Sequence, residues 1–202
     1  MDAWDAFKKA VYLKDFSTER IFIGSRKSTY IPMERAHASI DSVYGLHREL
    51  KPNTAFFQKE TADIRYIVST NITYDLFVSI FDVNSNSGFF IRSSMLLSNA
   101  TKANIRKYLD KFRNQNLEFR IIGMQNGYNE LIDVISGLKK LVKGSLVELD
   151  LFGNEIRHIA IDLETGHSYN LLLDNRIYKP GELINSQALQ SFKSTVSEIK
   201  FI

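Results

Sequence analysis

Residues 74–97, YDLFVSIFDVNSNSGFFIRSSMLL, are the stretch of sequence that decides the fold. The first part, Tyr74 to Val83, is dense in aromatic and β-branched residues, which are enriched in strands. The turn-forming residues Asn84 to Gly88 follow, and Phe89 to Leu97 is largely apolar again. Two strand-like runs separated by a polar turn that contains glycine predict a β-hairpin.

Strand patterns recur on both sides of this hairpin. Before it, the segment DIRYIVST alternates Ile64, Tyr66 and Val68 on one face. After it come short apolar runs bounded by turn residues, which we interpret as strands: Leu117 to Gly123, Ser145 to Phe152, Arg157 to Leu163 and His167 to Leu173. Strands therefore lie on both sides of the hairpin along the chain.

Elsewhere, apolar residues recur at spacings of three and four, which is typical of amphipathic helices. These stripes predict helices within four segments: residues 3–14, 36–50, 99–114 and 128–142. Each apolar stripe or sheet face needs a partner surface, and layered packing supplies it. The predicted fold class is therefore α/β (α+β), a layered mixed β-sheet covered by helices.

The domain organisation is predicted from the places where the pattern changes. Residues 1–55 are expected to form an amino-terminal helical and extended segment that packs on the core. Residues 56–175 are expected to form the α/β domain, and residues 176–202, interrupted by Pro180 and Gly181, a carboxy-terminal tail. A length of 202 residues fits one domain of ordinary size with such additions.

Composition excludes several classes of protein. The chain is 44% hydrophobic and 24% charged, which is typical of a folded protein and not of a disordered one. It has no cysteine, so disulfides, thiolate metal sites and a cysteine nucleophile are excluded. The start, MDAWDAFKKAVYL, does not resemble a secretory signal, and no apolar run approaches the roughly 18 residues of a membrane span. We therefore expect a cytoplasmic protein.

The motifs of common catalytic and cofactor-binding classes do not occur in the sequence. There is no Walker-type phosphate loop, no G-x-G-x-x-G after a strand, no H-E-x-x-H helix and no G-x-S-x-G elbow. The four histidines, His37, His47, His158 and His167, are dispersed, so a metal site would require convergence in the fold. We expect neither a cofactor nor a metal ion.

Basic residues gather on the helix predicted over residues 99–114. Arg106, Lys107, Lys111 and Arg113 form a candidate contact surface for nucleic acid. The alternative is an ordinary solvated helix face, whose cations near the carboxyl end oppose the helix dipole favourably. We prefer this alternative, because acidic residues interrupt the basic stripe and the chain's 26 basic residues nearly balance its 23 acidic ones.

Two segments resemble the CheD family of chemotaxis proteins, whose members are chemoreceptor glutamine deamidases with a layered α/β fold. In the hairpin, Phe81 and Asp82 match the family's aromatic-Asp turn. Gly88, followed by Met95 and Leu96, matches the return through glycine to a Met-Leu run. The resemblance implies that this hairpin carries the positions of the family's active site.

The second segment is DLFGNEIRHIAIDLETGHSYNLL, residues 150–172. It is similar to the family's terminal pattern of Gly-Gly-Asn, a basic residue and Asp-x-x-Thr-Gly, matched here by Gly153, Asn154, Arg157, Asp162, Thr165 and Gly166. The strand end LEFRIIGMQNG also resembles the family's glycine-rich strand end. Order and spacing agree from about Asp63 to Leu173, about half of the chain.

The chain departs from the family at the positions that carry the chemistry. The family's cysteine nucleophile corresponds to Asp75. Its activating histidine corresponds to Arg92 or Ser93. Its assisting threonine corresponds to Ser69 or Thr70, so only a hydroxyl is kept. A carboxylate of ordinary pKa is a poor nucleophile toward an unactivated amide, and the resemblance therefore implies a relative without deamidase activity.

The leading hypothesis is a catalytically inactive CheD-like module that binds protein, and the resemblance implies a chemoreceptor or a chemotaxis phosphatase as partner. One alternative is a hydrolase or amidase in which Asp75 acts with Ser69, Thr70 or a histidine. Another is a nucleic-acid-binding protein that uses the basic helix. Asp75 and Arg92 also have an ordinary interpretation as surface residues or a weak surface ion pair.

Overall fold

Two β-sheets, each with strands in both orientations, carry most of the regular structure in a computed structural model of the chain. The structure describes these residues: 21–23, 36–43, 45–72, 75–93, 99–110, 112, 117–123, 136–137, 140, 144–150, 157–172 and 199–202. The mixed α/β class predicted from the sequence is confirmed, with strands much more abundant than helices in the described part.

The larger sheet has seven strands and is centred on the predicted hairpin. Its strands, in spatial order, are β1 (Ile21–Ile23), β9 (Gly144–Asp150), β8 (Leu117–Gly123), β6 (Leu76–Asp82), β7 (Ser87–Ser93), β4 (Thr54–Lys59) and β12 (Lys200–Phe201). The pairs β8–β9 and β12–β4 are parallel, and the others are antiparallel. The hairpin prediction is confirmed: β6 and β7 are neighbours, with Phe81 opposite Gly88.

The smaller sheet has five strands. Its strands, in spatial order, are β2 (His37–Ser39), β11 (Ser168–Leu172), β10 (Arg157–Asp162), β5 (Tyr66–Ile72) and β3 (His47–Glu49). The central strands β11, β10 and β5 are antiparallel, whereas the edge strands β2 and β3 are parallel to their neighbours. The two strands predicted around Glu164 to Gly166 are thus a second hairpin, β10–β11.

The hydrophobic core lies between the two sheets. Four phenylalanines and Ile122 of the large sheet pack against isoleucines of the small sheet in one fully buried cluster that includes Phe56, Phe77, Phe81, Phe90, Ile67, Ile72, Ile159 and Ile161. Full burial of one such side chain is worth about 1.5–3 kcal/mol, so this cluster is the main source of attraction between the layers. Alternation along β6 and β7 turns Phe77, Phe81 and Phe90 toward it.

Helices cover parts of the outer faces. Helix α1 (Ile40–Val43) packs Val43 with Val68, Ala160 and Leu171 on the small sheet. Helix α2 (Asn99–Leu109) covers the large sheet. The Tyr108 ring stacks on Phe89 at 4.5 Å between centroids and on Phe201 at 5.8 Å. The described part contains no helix with the length and apolar character that a membrane crossing requires.

One helix prediction is wrong. Residues 36–50 were expected to be helical, but they form β2, the single turn α1 and β3. Gly45 adopts a φ of +83°, a left-handed conformation that ends the helix, and His47–Glu49 then pairs with β5. Pairing with a neighbouring strand outweighs the helical spacing of the apolar residues here, because the pairing satisfies the backbone hydrogen bonds between strands.

The other helix and domain predictions have different outcomes. The helix predicted over 99–114 is confirmed for Asn99–Leu109. The helix of residues 3–14 lies outside the described residues, and of the helix over 128–142 only residues 136, 137 and 140 are described, all helical. The boundary placed between residues 55 and 56 falls inside β4, and strands before it join both sheets. The three-part domain division otherwise stays a prediction.

Candidate functional site

Three of the residues singled out from the sequence meet between the two sheets. Ser69 lies on β5 of the small sheet, Arg92 lies on β7 of the large sheet, and Asp75 immediately precedes β6. Arg92 Nε donates to Asp75 Oδ2 at 2.6 Å, and Arg92 Nη1 donates to Ser69 Oγ at 3.2 Å. We call Ser69, Asp75 and Arg92, with the backbone of Thr70 and Asn71, the Arg92 cluster.

The guanidinium of Arg92 is fully engaged. Nη1 also donates to the Thr70 carbonyl at 2.7 Å, and Nη2 donates to the Asn71 carbonyl at 2.9 Å. The Nη2 contact with Asp75 Oδ2 at 2.5 Å completes the set. A guanidinium has five N–H donors on three nitrogens, and here every nitrogen donates at least one hydrogen bond, four in all, beside the ion-pair contact of Nη2.

A β-bulge in β5 supplies the two backbone acceptors. Ser69 lies opposite Ile159 and Ile72 lies opposite Arg157, so β5 has one more residue than β10 across this interval. Asn71, within the bulge, has a φ of +55°, a left-handed conformation that asparagine tolerates better than most residues. The bulge thereby presents successive carbonyls to one side chain.

The three side chains of the Arg92 cluster are excluded from solvent. Asp75 and Ser69 are 0% exposed and Arg92 is 3% exposed. The interpretation of Asp75 and Arg92 as surface residues is therefore wrong, because they form a buried ion pair. Removing one partner of such a pair leaves an uncompensated buried charge, which costs about 3–5 kcal/mol.

The two other candidates contribute differently. Thr70 takes part through its carbonyl, so the hydroxyl expected from the sequence is not the group that contacts Arg92. Ser93 is buried on β7, but it is adjacent to Arg92 in a strand, where successive side chains point to opposite faces. Of the two candidates Arg92 and Ser93, Arg92 is therefore the one that lies in this cluster.

His158 lies beside the Arg92 cluster, and no sequence pattern distinguished it from the other three histidines. Its Nδ1 accepts the Asn71 N–H at 3.2 Å, on the same residue whose carbonyl accepts from Arg92. Burial lowers the pKa of His158, and the positive charge of Arg92 lowers it further. The ring is therefore neutral at pH 7, with Nδ1 as an acceptor.

The Arg92 cluster lacks the parts of a nucleophilic site. A serine nucleophile needs a base to accept its proton, but Ser69 Oγ donates to the Leu50 carbonyl at 3.1 Å and faces a cation. Asp75 accepts hydrogen bonds through Oδ2, and no described group hydrogen-bonds Oδ1. The arrangement can hold charge and join the two sheets, and no described group in it is placed to activate a hydroxyl.

A second buried polar group, which sequence analysis missed, lies between β8, β9 and β11. Arg120 Nε is 3.5 Å from Glu148 Oε2, and Ser168 Oγ donates to the same oxygen at 2.5 Å. Glu118 Oε2 lies 3.4 Å from Arg120 Nη2. We call these residues, together with Ser79 of β6, the Arg120 cluster. The only sequence signal for this cluster is that Arg120 and Glu148 are charged residues within otherwise largely apolar strand segments.

A buried ion pair between Arg157 and Asp150 also joins the two sheets. Arg157 Nε of β10 donates to Asp150 Oδ1 of β9 at 3.0 Å, and both side chains are buried. Arg157 was singled out from the sequence only as part of a motif. Its position opposite Asp150 depends on how the two sheets cross, which no local pattern reveals.

The motif residues that suggested the family resemblance hold the two hairpin turns. Asp82 Oδ1 accepts the Asn84 N–H at 3.0 Å, and Asp162 Oδ1 accepts the Glu164 N–H at 2.9 Å. Gly166 has a φ of +74°, and a Cβ there would lie 2.6 Å from the Phe81 ring. Asp82, Asp162 and Gly166 therefore stabilise the two turns. Gly153, Asn154, Met95 and Leu96 lie outside the described residues.

The basic surface is only partly described. Arg106 and Lys107 are exposed on α2, and Asp110, which follows them, is exposed as well. Lys111 and Arg113 lie outside the described residues. Of the four candidate cations, two are thus placed on a solvated face next to an acidic residue.

No protein-family model matches this sequence, and a search of the curated proteins gives no match either. Among the residues that the structure describes, no group of three or more histidine, aspartate or glutamate side chains is arranged to hold a metal ion.

Proposed function

We propose that this protein is a non-catalytic protein-binding module built on a CheD-like scaffold. The observation that carries the proposal is the Arg92 cluster. The resemblance aligns Asp75 with the family's cysteine and Arg92 or Ser93 with its histidine, and Asp75 and Arg92 form a buried ion pair in which every nitrogen of the guanidinium donates a hydrogen bond. These contacts join the two sheets and leave no free nucleophile, so they support a structural role for the cluster and not catalytic turnover.

The chemistry of the cluster argues against the hydrolase alternative. Hydrolysis of an amide requires an activated nucleophile within reach of the substrate carbonyl. Asp75 has no exposed surface and is held by Arg92, and the Ser69 proton is directed to a backbone carbonyl. His158 Nδ1 accepts the Asn71 N–H, so this ring nitrogen is engaged by a backbone donor.

The proposed partner is a protein of the chemotaxis machinery, a chemoreceptor or a chemotaxis phosphatase, and the proposed compartment is the cytoplasm. This choice rests on the resemblance and on the rigid, internally tied sandwich, since a preorganised surface loses little entropy on binding. The nucleic-acid alternative has less support, because Arg106 and Lys107 are followed by the exposed Asp110 in place of a continuous basic stripe.

Calorimetric titration with the purified cytoplasmic helical hairpin of a chemoreceptor, and separately with a chemotaxis phosphatase, tests the proposal. Mass spectrometry of the receptor before and after incubation reports any conversion of glutamine to glutamate. We expect saturable binding of one of these proteins without conversion. Conversion that disappears in a Ser69→Ala variant would establish the hydrolase instead, and absence of binding to both proteins would contradict the proposed partner class.

A charge-reversal variant separates protein binding from nucleic-acid binding. Arg106→Glu combined with Lys107→Glu changes two exposed side chains and leaves the core intact. Binding to duplex DNA that falls steeply with salt and is lost in this variant would favour the nucleic-acid alternative. We expect no such binding by the unaltered chain at physiological ionic strength.

A further inference from the structure

A very short strand completes the edge of the large sheet next to β4. This strand, β12, has two residues and pairs with β4 in parallel. The Lys200 N–H donates to the Asn53 carbonyl at 2.9 Å, and the Ile202 N–H donates to the Ala55 carbonyl at the same distance. Because β12 is the outermost described strand here, its departure would leave β4 with an unpaired edge that can accept another strand.

One aromatic ring anchors β12 to the outer face of the large sheet. Phe201 is the register partner of Ala55, and its ring stacks with Tyr108 of α2 at 5.8 Å and with Phe89 of β7 at 6.3 Å between centroids. The strands β12 and β7 lie two strand spacings apart, about 9.6 Å, so the Phe201 ring leans across β4. The small side chain of Ala55 permits this. We call Ala55, Phe89 and Tyr108 the ring pocket.

The docked segment buries little surface compared with the strand beside it. Phe201 is half-buried, Lys200 is exposed and Ile202 is 64% exposed. By contrast, β4 is paired with β7 along all six of its residues. Attraction scales with the apolar surface that is removed from water, so the segment is held more weakly than the strands of the core. Segments of this kind open locally while the rest of the fold stays intact.

The contacts of residues 199–202 do not depend on which copy of the chain supplies the segment. A second copy carries the same segment and the same ring pocket, which is the condition for exchange of an element between protomers. Residues 173–198 connect β11 to this segment, and 26 residues can extend to about 80 Å. A compact domain of this length is roughly 40 Å across, so the segment can reach the β4 edge of an adjacent copy.

We propose that the β4 edge and the ring pocket form a docking site that binds residues 199–202 of a second copy of this chain in exchange for its own. In the exchanged dimer, the segment of each copy pairs with β4 of the other, and its Phe201 ring enters the other copy's ring pocket. The site is separate from the Arg92 cluster and does not depend on the proposed chemotaxis partner.

A fluorescently labelled peptide of residues 196–202, VSEIKFI, measures the docking site directly. Its binding to the full-length Phe201→Ala variant is followed by fluorescence anisotropy. This variant removes a half-buried ring outside the buried cluster between the sheets, so the fold is retained. We expect saturable binding, and apparent binding to the unaltered chain that is weaker by about tenfold or more, because the chain's own segment competes at a high effective concentration.

Two altered peptides identify the contact. Phe201→Ala in the peptide removes the ring that enters the pocket and is expected to weaken binding by about tenfold or more. Ile202→Ala is the matched control, because it removes a side chain that is 64% exposed, and it should change the affinity by less than about twofold. Absence of saturable binding, or equal losses for the two altered peptides, would overturn the docking site.

Two full-length variants test whether a second copy occupies the site. Phe201→Ala keeps the ring pocket and loses the anchoring ring, whereas Tyr108→Ala keeps the segment and loses one side of the pocket. Sedimentation in the analytical ultracentrifuge should show that each variant alone is a monomer and that the mixture forms a complex with one copy of each. The unaltered chain should dimerise only at higher concentration, because its own segment competes. Peptide binding without association of the two variants would overturn a second copy as the occupant.

Discussion

The Arg92 and Arg120 clusters place the same kind of side chain between the same two sheets with opposite degrees of satisfaction. Every nitrogen of the Arg92 guanidinium donates at least one hydrogen bond, at distances of 2.6–3.2 Å. Arg120 has only distant carboxylates at 3.4 and 3.5 Å, and its Nη1 has no partner in the described structure. In the first cluster the guanidinium is hydrogen-bonded through all three nitrogens and the described atom without a partner is Asp75 Oδ1, whereas in the second cluster the guanidinium itself has a nitrogen, Nη1, without a described partner.

The two arginines differ in their acceptors because a register shift near each of them places different groups beside it. The bulge in β5 turns the Thr70 and Asn71 carbonyls toward Arg92. The parallel pairing of β8 and β9 also shifts register, between Phe119 and Arg120, but there it sets the Glu148 side chain opposite Arg120. Backbone carbonyls are fixed neutral acceptors, while one carboxylate is shared with Ser168. Similar backbone irregularities thus give a closed cluster in one place and an open one in the other.

The largest effect is expected from Arg92→Met. The methionine keeps much of the apolar stem but leaves the Asp75 carboxylate buried without its cation. We expect the free energy of unfolding to fall by about 3–5 kcal/mol, measured by urea denaturation monitored by circular dichroism. The double variant Asp75→Leu with Arg92→Met should recover part of this loss. A single-variant loss below about 1 kcal/mol would contradict the closed character of the cluster.

Arg120→Met is the matched change in the open cluster. It leaves the buried Glu148 carboxylate without this cation, but Ser168 Oγ still donates to Glu148 Oε2, and removal of the unpartnered Nη1 offsets part of the cost. We expect a loss of about 1–3 kcal/mol in the same measurement, smaller than for Arg92→Met. An equal or larger loss would remove the distinction between the clusters.

The hairpin and the strand order along the chain could be predicted because alternation and turn residues are local signals. The meeting of Asp75, Arg92 and Ser69 was anticipated only through the resemblance, and their burial was not. The bulge at Asn71 could not be predicted, since it depends on pairing with β10, far along the chain. The same holds for Arg120, whose neighbours on β9 and β11 are brought together by the crossing of the sheets.

A pair of serine variants extends the comparison to smaller effects. Ser69 Oγ donates to Leu50 and accepts from Arg92, so Ser69→Ala leaves two buried groups with one partner fewer. We expect a loss of about 1–2 kcal/mol in thermal or urea unfolding. Ser79 Oγ has no partner in the described structure, so Ser79→Ala should change stability by less than about 0.5 kcal/mol. Equal losses of stability for the two variants would contradict the conclusion that Ser69 Oγ is hydrogen-bonded and Ser79 Oγ is not.

The smallest effect is a pH dependence that belongs to the closed cluster. The pKa of His158 lies below the ordinary value of 6.5, because burial and Arg92 disfavour the protonated ring. As the pH falls below 6.5, the unfolded chain binds a proton before the folded chain does, so stability decreases until the folded-state pKa is passed. Protonation of Nδ1 would also break the hydrogen bond from the Asn71 N–H, and the carbonyl of Asn71 is one of the acceptors of Arg92.

Urea unfolding at a series of pH values between 8 and 5 tests this prediction. His158→Gln keeps an acceptor and should reduce the dependence of the free energy of unfolding on pH, while the other histidines are unchanged. An identical slope in the variant would show that His158 does not couple protonation to the Arg92 cluster.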